Sequence, residues 1–417
     1  MLANMNCYLF ESLPGFVKEG LGELTGGVKD RWEDYIKELA ASPSTFESNL
    51  SVSKTGSGFL NQESGFIFLR YLARLSGDVT IENTTGNTTV QSFYGNDTVR
   101  NRDRDIKKVT VLSGAGDDVI DNIGAYSTLN GGDGNDSIHS RNDNVKIFGG
   151  TGNDLIINDN TYGKGKKVTI DGGADEDHIE NYASNVSIDG GEGNDTIENL
   201  GAYSTLDGGT GNDSFHNRNG NVKIFGGDGD DFINNDNYYE KANKVTIDGG
   251  AGKDHVDNHG SNVSINGGSG NDDLHNRGSK VTVLGGAGND IISNYGTKAT
   301  LDGGTGNDEL HGGDGKDLIY GGAGKDSLWG GAGNDTFVYT ANEGTDRIMD
   351  YESGDILQIL NADESDGAFK SSKYSGGDLT LTINGGGKVV FDDVSKSDTF
   401  NINGTSYKIS GSKLQKQ

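Results

Sequence analysis

The sequence predicts an all-β fold, a long stack of short strands with a partly helical segment before it and a small β cap after it. Three observations carry that reading. From Gly303 to Val338 the chain reads GGTGNDELH, GGDGKDLIY, GGAGKDSLW and GGAGNDTFV, four consecutive nine-residue units with Gly at positions one, two and four, Asp at six and an apolar residue at eight. The same unit recurs upstream with starts at 113, 131, 149, 172, 190, 208, 226, 249, 267 and 285, spaced mostly by 18 and twice by 23. The 69 glycines among 417 residues are more than twice the usual share of about 7%, while prolines number 2 and only 31% of residues are hydrophobic. That leaves too little apolar material for one thick globular core.

Within each unit the glycines allow positive φ, so the chain turns sharply with its carbonyls facing a common point. The apolar end then reads as a very short strand. A tight oxygen-lined loop with one carboxylate suits a hard cation of the size of calcium, and suits magnesium less, because magnesium is smaller and dehydrates reluctantly.

These units resemble the calcium-binding nonapeptides of repeats-in-toxin (RTX) proteins. The resemblance implies a right-handed parallel β-roll in which two nonapeptides make one turn and Ca²⁺ lies between stacked loops. It places side-chain ligands at Asp118, Asp136, Asp154, Asp177, Asp195, Asp213, Asp231, Asp254, Asp272, Asp290, Asp308, Asp317, Asp326 and Asp335. It places main-chain carbonyl ligands at Gly303, Thr305, Gly312, Asp314, Gly321, Ala323, Gly330 and Ala332. Counting the gaps between Asp loops along the two edges gives up to about 12 ions. Two loops depart from the pattern: Asp175 stands where the Gly at position four belongs, and the first loop begins with Ser113.

Residues 1–73 differ in kind. Trp32, Ile36 and Leu39 fall at helical spacing, which predicts one amphipathic helix, and Phe66, Phe68, Leu69, Leu72 and Leu75 predict a helix or strand that caps the open end of the stack. The first residues lack a basic, apolar leader of the Sec type, and no window approaches the roughly 18 apolar residues of a membrane helix. The resemblance implies instead export to the outside of the cell by a type I secretion machinery that reads a C-terminal signal.

The stack itself is assigned to 74–338, its frame faint at first and firmer at SFYGNDTVR. Between the upstream loops lies an altered unit, NYASNVSID, NRNGNVKIF, NHGSNVSIN or NRGSKVTVL, with Asn at position one and Val usually at six. Alternation along a strand turns Val186 and Ile188 inward together. Asn181, Asn199, Asn217, Asn258, Asn276 and Asn294 are placed to form an amide ladder, interrupted at Ser140. A 77-residue repeat relates the segment at Asn122 to that at Asn199, a duplicated four-turn block whose 23-residue turns carry bulges with Tyr162, Tyr238 and Tyr239.

Residues 339–417 form the cap and carry the secretion-signal region. The segment YTANEGTDRIMDYESGDILQIL is similar to the one that closes many RTX repeat regions. DLTLTIN, KVVFDDV and TFNINGTSYKIS alternate as strands, with hairpin signals at Asn384–Gly387 and Asn403–Gly404. The tail SGSKLQKQ reads as disordered.

A formal charge of −28 disfavours nucleic acid and anionic membranes as partners and favours cations. Cys7 is alone, so an intramolecular disulfide is excluded. His139, His216, His275 and His311 fall at position nine, outward and turns apart, without the HExxH spacing of a zinc site. GxSxG, P-loop and Cys/His nucleophile patterns are missing, so nothing here points to an enzyme. Outward aromatics, Phe148, Phe225, Tyr320 and Trp329, together with the bulge tyrosines, are candidates for a cell-surface or glycan target. The expected function is that of a secreted calcium-binding protein whose roll folds on extracellular Ca²⁺. The alternatives are a cytolysin or toxin fragment, and the C-terminal calcium-binding module of a secreted hydrolase or adhesin.

Overall fold

Nine-residue periodicity becomes two strands per 18-residue turn. The structure, a computed structural model, describes residues 78–417 apart from 79, 85, 93, 160–166, 237–242 and 361–367. The helix expected around Trp32, the apolar cap at residues 66–75, and Tyr162, Tyr238 and Tyr239 lie outside the described residues. Every described element is a β-strand. No helix among the described residues is long and apolar enough to cross a membrane.

The chain divides into two compact units, residues 1–190 and 191–417. In the first, the short strands Val119–Asn122, Ser137–Ser140, Leu155–Asn158 and His178–Asn181 stack in parallel and in register. The longer strands Val109–Ala115, Thr128–Asp133, Lys146–Thr151 and Val168–Ala174 make a second parallel stack. The second unit repeats the scheme, from Thr196–Asn199 to Ser327–Trp329 in one stack and from Thr205–Thr210 to Thr300–Gly306 in the other. Each unit is therefore a parallel β-solenoid. The 23-residue turns keep this register, pairing Leu155 with His178 and Phe232 with His255. Their five extra residues are absorbed without displacing a strand.

Side-chain alternation explains the core. Position eight of the Gly-rich unit is buried throughout, as at Ile138, Phe215 and Leu274, and position six and eight residues of the altered unit face it. Val186 and Ile188 are both buried, as alternation predicts. One narrow apolar column fills each turn.

Parallel stacking continues beyond Val338, where Ile356–Leu360 pairs with Thr336–Thr340. Phe337, Tyr351, Phe391 and Phe400 then pack ring against ring. Antiparallel hairpins follow, Asp378–Ile383 with Lys388–Phe391 and Thr399–Ile402 with Thr405–Ser410, the second turning on Asn403 and Gly404 at positive φ. The strand Phe369–Ser375, which the sequence reading leaves out, pairs with Asp378–Ile383. The tail is not disordered. Lys413–Lys416 pairs with Thr405–Ser410 across a turn at Gly411, Leu414 is buried, and its N–H donates to Ser372 Oγ at 2.9 Å.

Candidate metal centre

The glycines make room for oxygens. At position two, a Cβ on Gly304 would lie 2.1 Å from the carbonyl of Gly286 one turn back; at position four, a Cβ on Gly306 would lie 1.6 Å from that of Gly288. Both hold positive φ, so no other residue fits without strain. Position one serves differently. A Cβ on Gly303 would fill a space 2.5 Å from Asp308 Oδ2, of its own unit, and 2.5 Å from the Gly321 carbonyl of the next turn.

The aspartates at position six divide their two oxygens between two tasks. In the first unit the N–H of Asp118 donates to Asp136 Oδ1, Asp136 to Asp154 and Asp154 to Asp177, at 2.7, 2.7 and 2.8 Å. In the second unit the same ladder runs Asp195, Asp213, Asp231, Asp254, Asp272, Asp290, Asp308 and Asp326 at 2.7–2.9 Å. On the opposite edge Ala299 donates to Asp317 and Asp317 to Asp335. These carboxyl groups are at most 3% exposed. The other oxygen, Oδ2, has no hydrogen-bond partner at Asp118, Asp136, Asp154, Asp213, Asp231, Asp254, Asp272, Asp290, Asp308, Asp317, Asp326 and Asp335.

An unpartnered buried oxygen at the same place in turn after turn is costly. Burial pushes the carboxyls of Asp118, Asp136, Asp231, Asp272 and Asp308 up to about 7 and that of Asp154 to about 8. Asp213, Asp254 and Asp317 rise to about 6 for the same reason. The N–H bond from the preceding turn opposes the rise, and neighbouring carboxylates add to it.

Among the described residues no three His, Cys, Asp or Glu side chains converge as a metal-holding group. The oxygens gather as carboxylates beside main-chain carbonyls. The Gly303 carbonyl lies beside Asp290 Oδ2 and the Gly321 carbonyl beside Asp308 Oδ2, each about the Cβ position of the intervening glycine. The Gly330 carbonyl lies 2.5 Å from the corresponding point on Gly312, with Asp317 Oδ2 at 3.3 Å. The Gly312 carbonyl accepts Asn294 Nδ2 at 2.5 Å, and the Thr305 carbonyl accepts the N–H of Gly288 at 2.8 Å. Asp314 and Ala332 pair with each other in a two-stranded ladder, and Ala323 pairs with Thr305. An anionic, all-oxygen donor set of this kind fits a hard divalent cation. Asp175 takes the place of glycine at φ +79, a conformation Asp tolerates, and its Oδ2 accepts the N–H of Gly152.

The opposite edge is held by amides. Asn199 donates to Asn217, and the chain continues through Asn235, Asn258 and Asn276 to Asn294 at 2.6–2.7 Å. In the first unit Asn158 donates to Asn181 and Asn101 to Asn122. Asn101, Asn122, Asn158 and Asn235 escape the sequence reading although each ends a strand at the same register. Asp97 escapes it too; its N–H donates to Asp118 Oδ1 at 2.6 Å, and the YGND of SFYGNDTVR was its signal. The outward histidines pair locally, His139 with Asp159, His275 with Asp273 and His311 with Glu309, and Trp329 stacks on His311 at 4.3 Å.

Residues 130–160, 171–200, 207–237, 281–293 and 302–337 match the family of RTX calcium-binding nonapeptide repeats. The chain carries hemolysin-type RTX repeats. Repeats of this family imply calcium binding, and the ladder of buried aspartates is consistent with it. No curated relative matches the chain. Among solved structures, the crystal structure of extracellular lipase LipA from Serratia marcescens is similar at 18% identity, over 53% of this chain and 43% of that one, with a TM-score of 0.23. The chain thus spans under half the length of that lipase.

Proposed function

We propose that the chain is a secreted calcium-binding RTX protein whose solenoid folds on meeting extracellular calcium, and that it serves as a binding module and not as an enzyme. The observation that carries this is the ladder of buried Asp Oδ2 atoms without partners. Carboxylates stacked about 5 Å apart repel by roughly 3 kcal/mol per neighbouring pair at an effective dielectric of about 20. The loops therefore resist stacking while their carboxylates are ionised and uncompensated. Bound calcium supplies the charge that turns this repulsion into a bridge between turns. Asp Oδ1 keeps its turn in register by accepting an N–H of the preceding turn, Asp Oδ2 and position-one carbonyls such as Gly303 and Gly321 would hold the ion, and the glycines keep its space clear.

Calcium is scarce inside cells and abundant outside, so such a chain stays open during export and closes after it. This supports a type I secretion route and an extracellular place of action, with a cell-surface or glycan target for the outward aromatics. Far-ultraviolet circular dichroism tests the reading. The chain is disordered in chelator, rich in β structure in millimolar calcium, and not rescued by the same concentration of magnesium. Equal β signal in chelator and in calcium overturns the proposal.

A further inference from the structure

The segment after the last RTX repeat loses the paired glycines but keeps the register. After Tyr339 and Thr340, residues 341–349 read ANEGTDRIM and 350–358 read DYESGDILQ, each nine residues long with Asp at position six. Asn342 and Gly344 hold φ +75 and +130, where repeat glycines two and four stand. The Glu343 carbonyl accepts the N–H of Gly324 at 2.6 Å, as the carbonyl of Thr305 at position three accepts that of Gly288. A Cβ on Gly344 would lie 1.8 Å from the Gly324 carbonyl, the crowding of a position-four glycine.

The carboxylates of this segment are not alike. Asp355 is saturated, since Oδ1 accepts the N–H of Asp335 at 2.9 Å and Oδ2 that of Glu352 at 2.7 Å. Asp350 likewise accepts the N–H groups of Gly330 and Gly331, at 2.7 and 2.9 Å. Both close one edge of the stack with backbone donors. Asp346, 2% exposed, keeps Oδ1 without a partner, and its carboxyl faces that of Asp326. The Cβ point of Gly321 lies 2.8 Å from Asp326 Oδ2 and 3.1 Å from Asp346 Oδ2. In the preceding gap the corresponding space faces one Asp oxygen and a main-chain carbonyl. A second carboxylate thus stands here where a carbonyl stands elsewhere.

We propose that Asp326 of the last loop on this edge and Asp346 of the segment beyond the repeats, with the charge of Glu343 beside them, form a divalent-cation site that fastens the C-terminal hairpins to the solenoid. This rests on the calcium reading given above. The coupling is built into the sheet. Thr345–Ile348, which carries Asp346, pairs on one side with Ser327–Trp329 and on the other with Lys388–Phe391. A cation held there joins the last RTX turn to the first hairpin of the cap.

The test uses the full chain and three variants, Asp346→Asn, Asp355→Asn and Glu343→Gln. Native mass spectrometry counts bound calcium, and hydrogen exchange follows protection of Lys388–Phe391 along a calcium titration. Asp346→Asn binds one ion fewer and needs at least about tenfold more calcium to protect that strand, while the repeats stay protected. Asp355→Asn keeps the full ion count. Glu343→Gln keeps the count and needs more calcium for the same protection. A full count in Asp346→Asn, or protection at the calcium concentration of the unaltered chain, overturns the proposal. Should Asp346→Asn fail to fold, an unchanged titration in Glu343→Gln overturns it instead. If the unaltered chain binds no calcium, the RTX calcium reading falls as well; if it fills its repeats while Asp346→Asn loses nothing, only this site falls.

Discussion

Replacing one interior carboxylate with its amide should make the calcium-free solenoid more stable, and the structure sets the size of the effect. Asp272 Oδ1 accepts the N–H of Asp254 at 2.9 Å, and its Oδ2 has no partner. Burial pushes its carboxyl from 3.8 up to about 7; the Asp254 N–H opposes this, and Asp290 and Asp254 reinforce it. A raised carboxyl means that the folded chain holds the proton more tightly than the unfolded chain. The penalty is absent below 3.8, grows as pH rises, and is complete above about 7. A shift of about three units corresponds to about 4 kcal/mol in the absence of a cation. Asp272→Asn keeps the Oδ1 acceptor, removes the charge and turns an N–H donor toward the Gly285 carbonyl, which shares the space about the Cβ point of Gly267. At a pH of about 8 in chelator, the variant gains up to about 4 kcal/mol, read as added hydrogen-exchange protection in Asp273–Asn276. In calcium it binds fewer ions by native mass spectrometry. A variant no better protected than the unaltered chain in chelator, or one that keeps every ion, refutes the assignment of Oδ2 as an uncompensated cation ligand.

Apparent calcium affinity should fall as pH drops from about 8 to about 6, because the raised carboxyls of Asp118, Asp136, Asp231 and Asp308 take up protons over that range. Isothermal titration at several pH values checks this, and a flat profile contradicts it. Gly288→Ala places a Cβ 1.4 Å from the Gly270 carbonyl at φ +137 and should cost at least about 2 kcal/mol in calcium-loaded melts. Gly404→Ala, at φ +74 with nothing within 4 Å, should cost only about 1 kcal/mol. Asn258→Ala strips the donor to Asn276 Oδ1 and the acceptor for Asn235 Nδ2, costing about 2–4 kcal/mol while the ion count stays unchanged. A lost ion in that variant would show that the two edges are not independent.

Much of this architecture is readable residue by residue, because each nonapeptide position has one steric task. Gly at one, two and four, Asp at six and an apolar residue at eight are positions where few other residues fit, so the period survives in the text. The cap is less legible. Phe369–Ser375 lacks alternation, and in SGSKLQKQ a single buried Leu414 with a turn at Gly411 suffices to add an edge strand to a polar tail. The amide ladder was read only in part, since Asn235 stands just before one of the inserted segments, where the altered repeat loses its frame. The least legible feature is the role of an aspartate. Asp326 and Asp355 occupy the same position in the same nine-residue frame. Asp355 spends both oxygens on backbone N–H groups, whereas Asp326 leaves Oδ2 without a hydrogen-bond partner and faces Asp346. Position in the repeat says where a carboxylate stands. Whether its second oxygen is free for a cation depends on whether its own loop turns a backbone donor onto it, as the Glu352 N–H does for Asp355 and no donor does for Asp326.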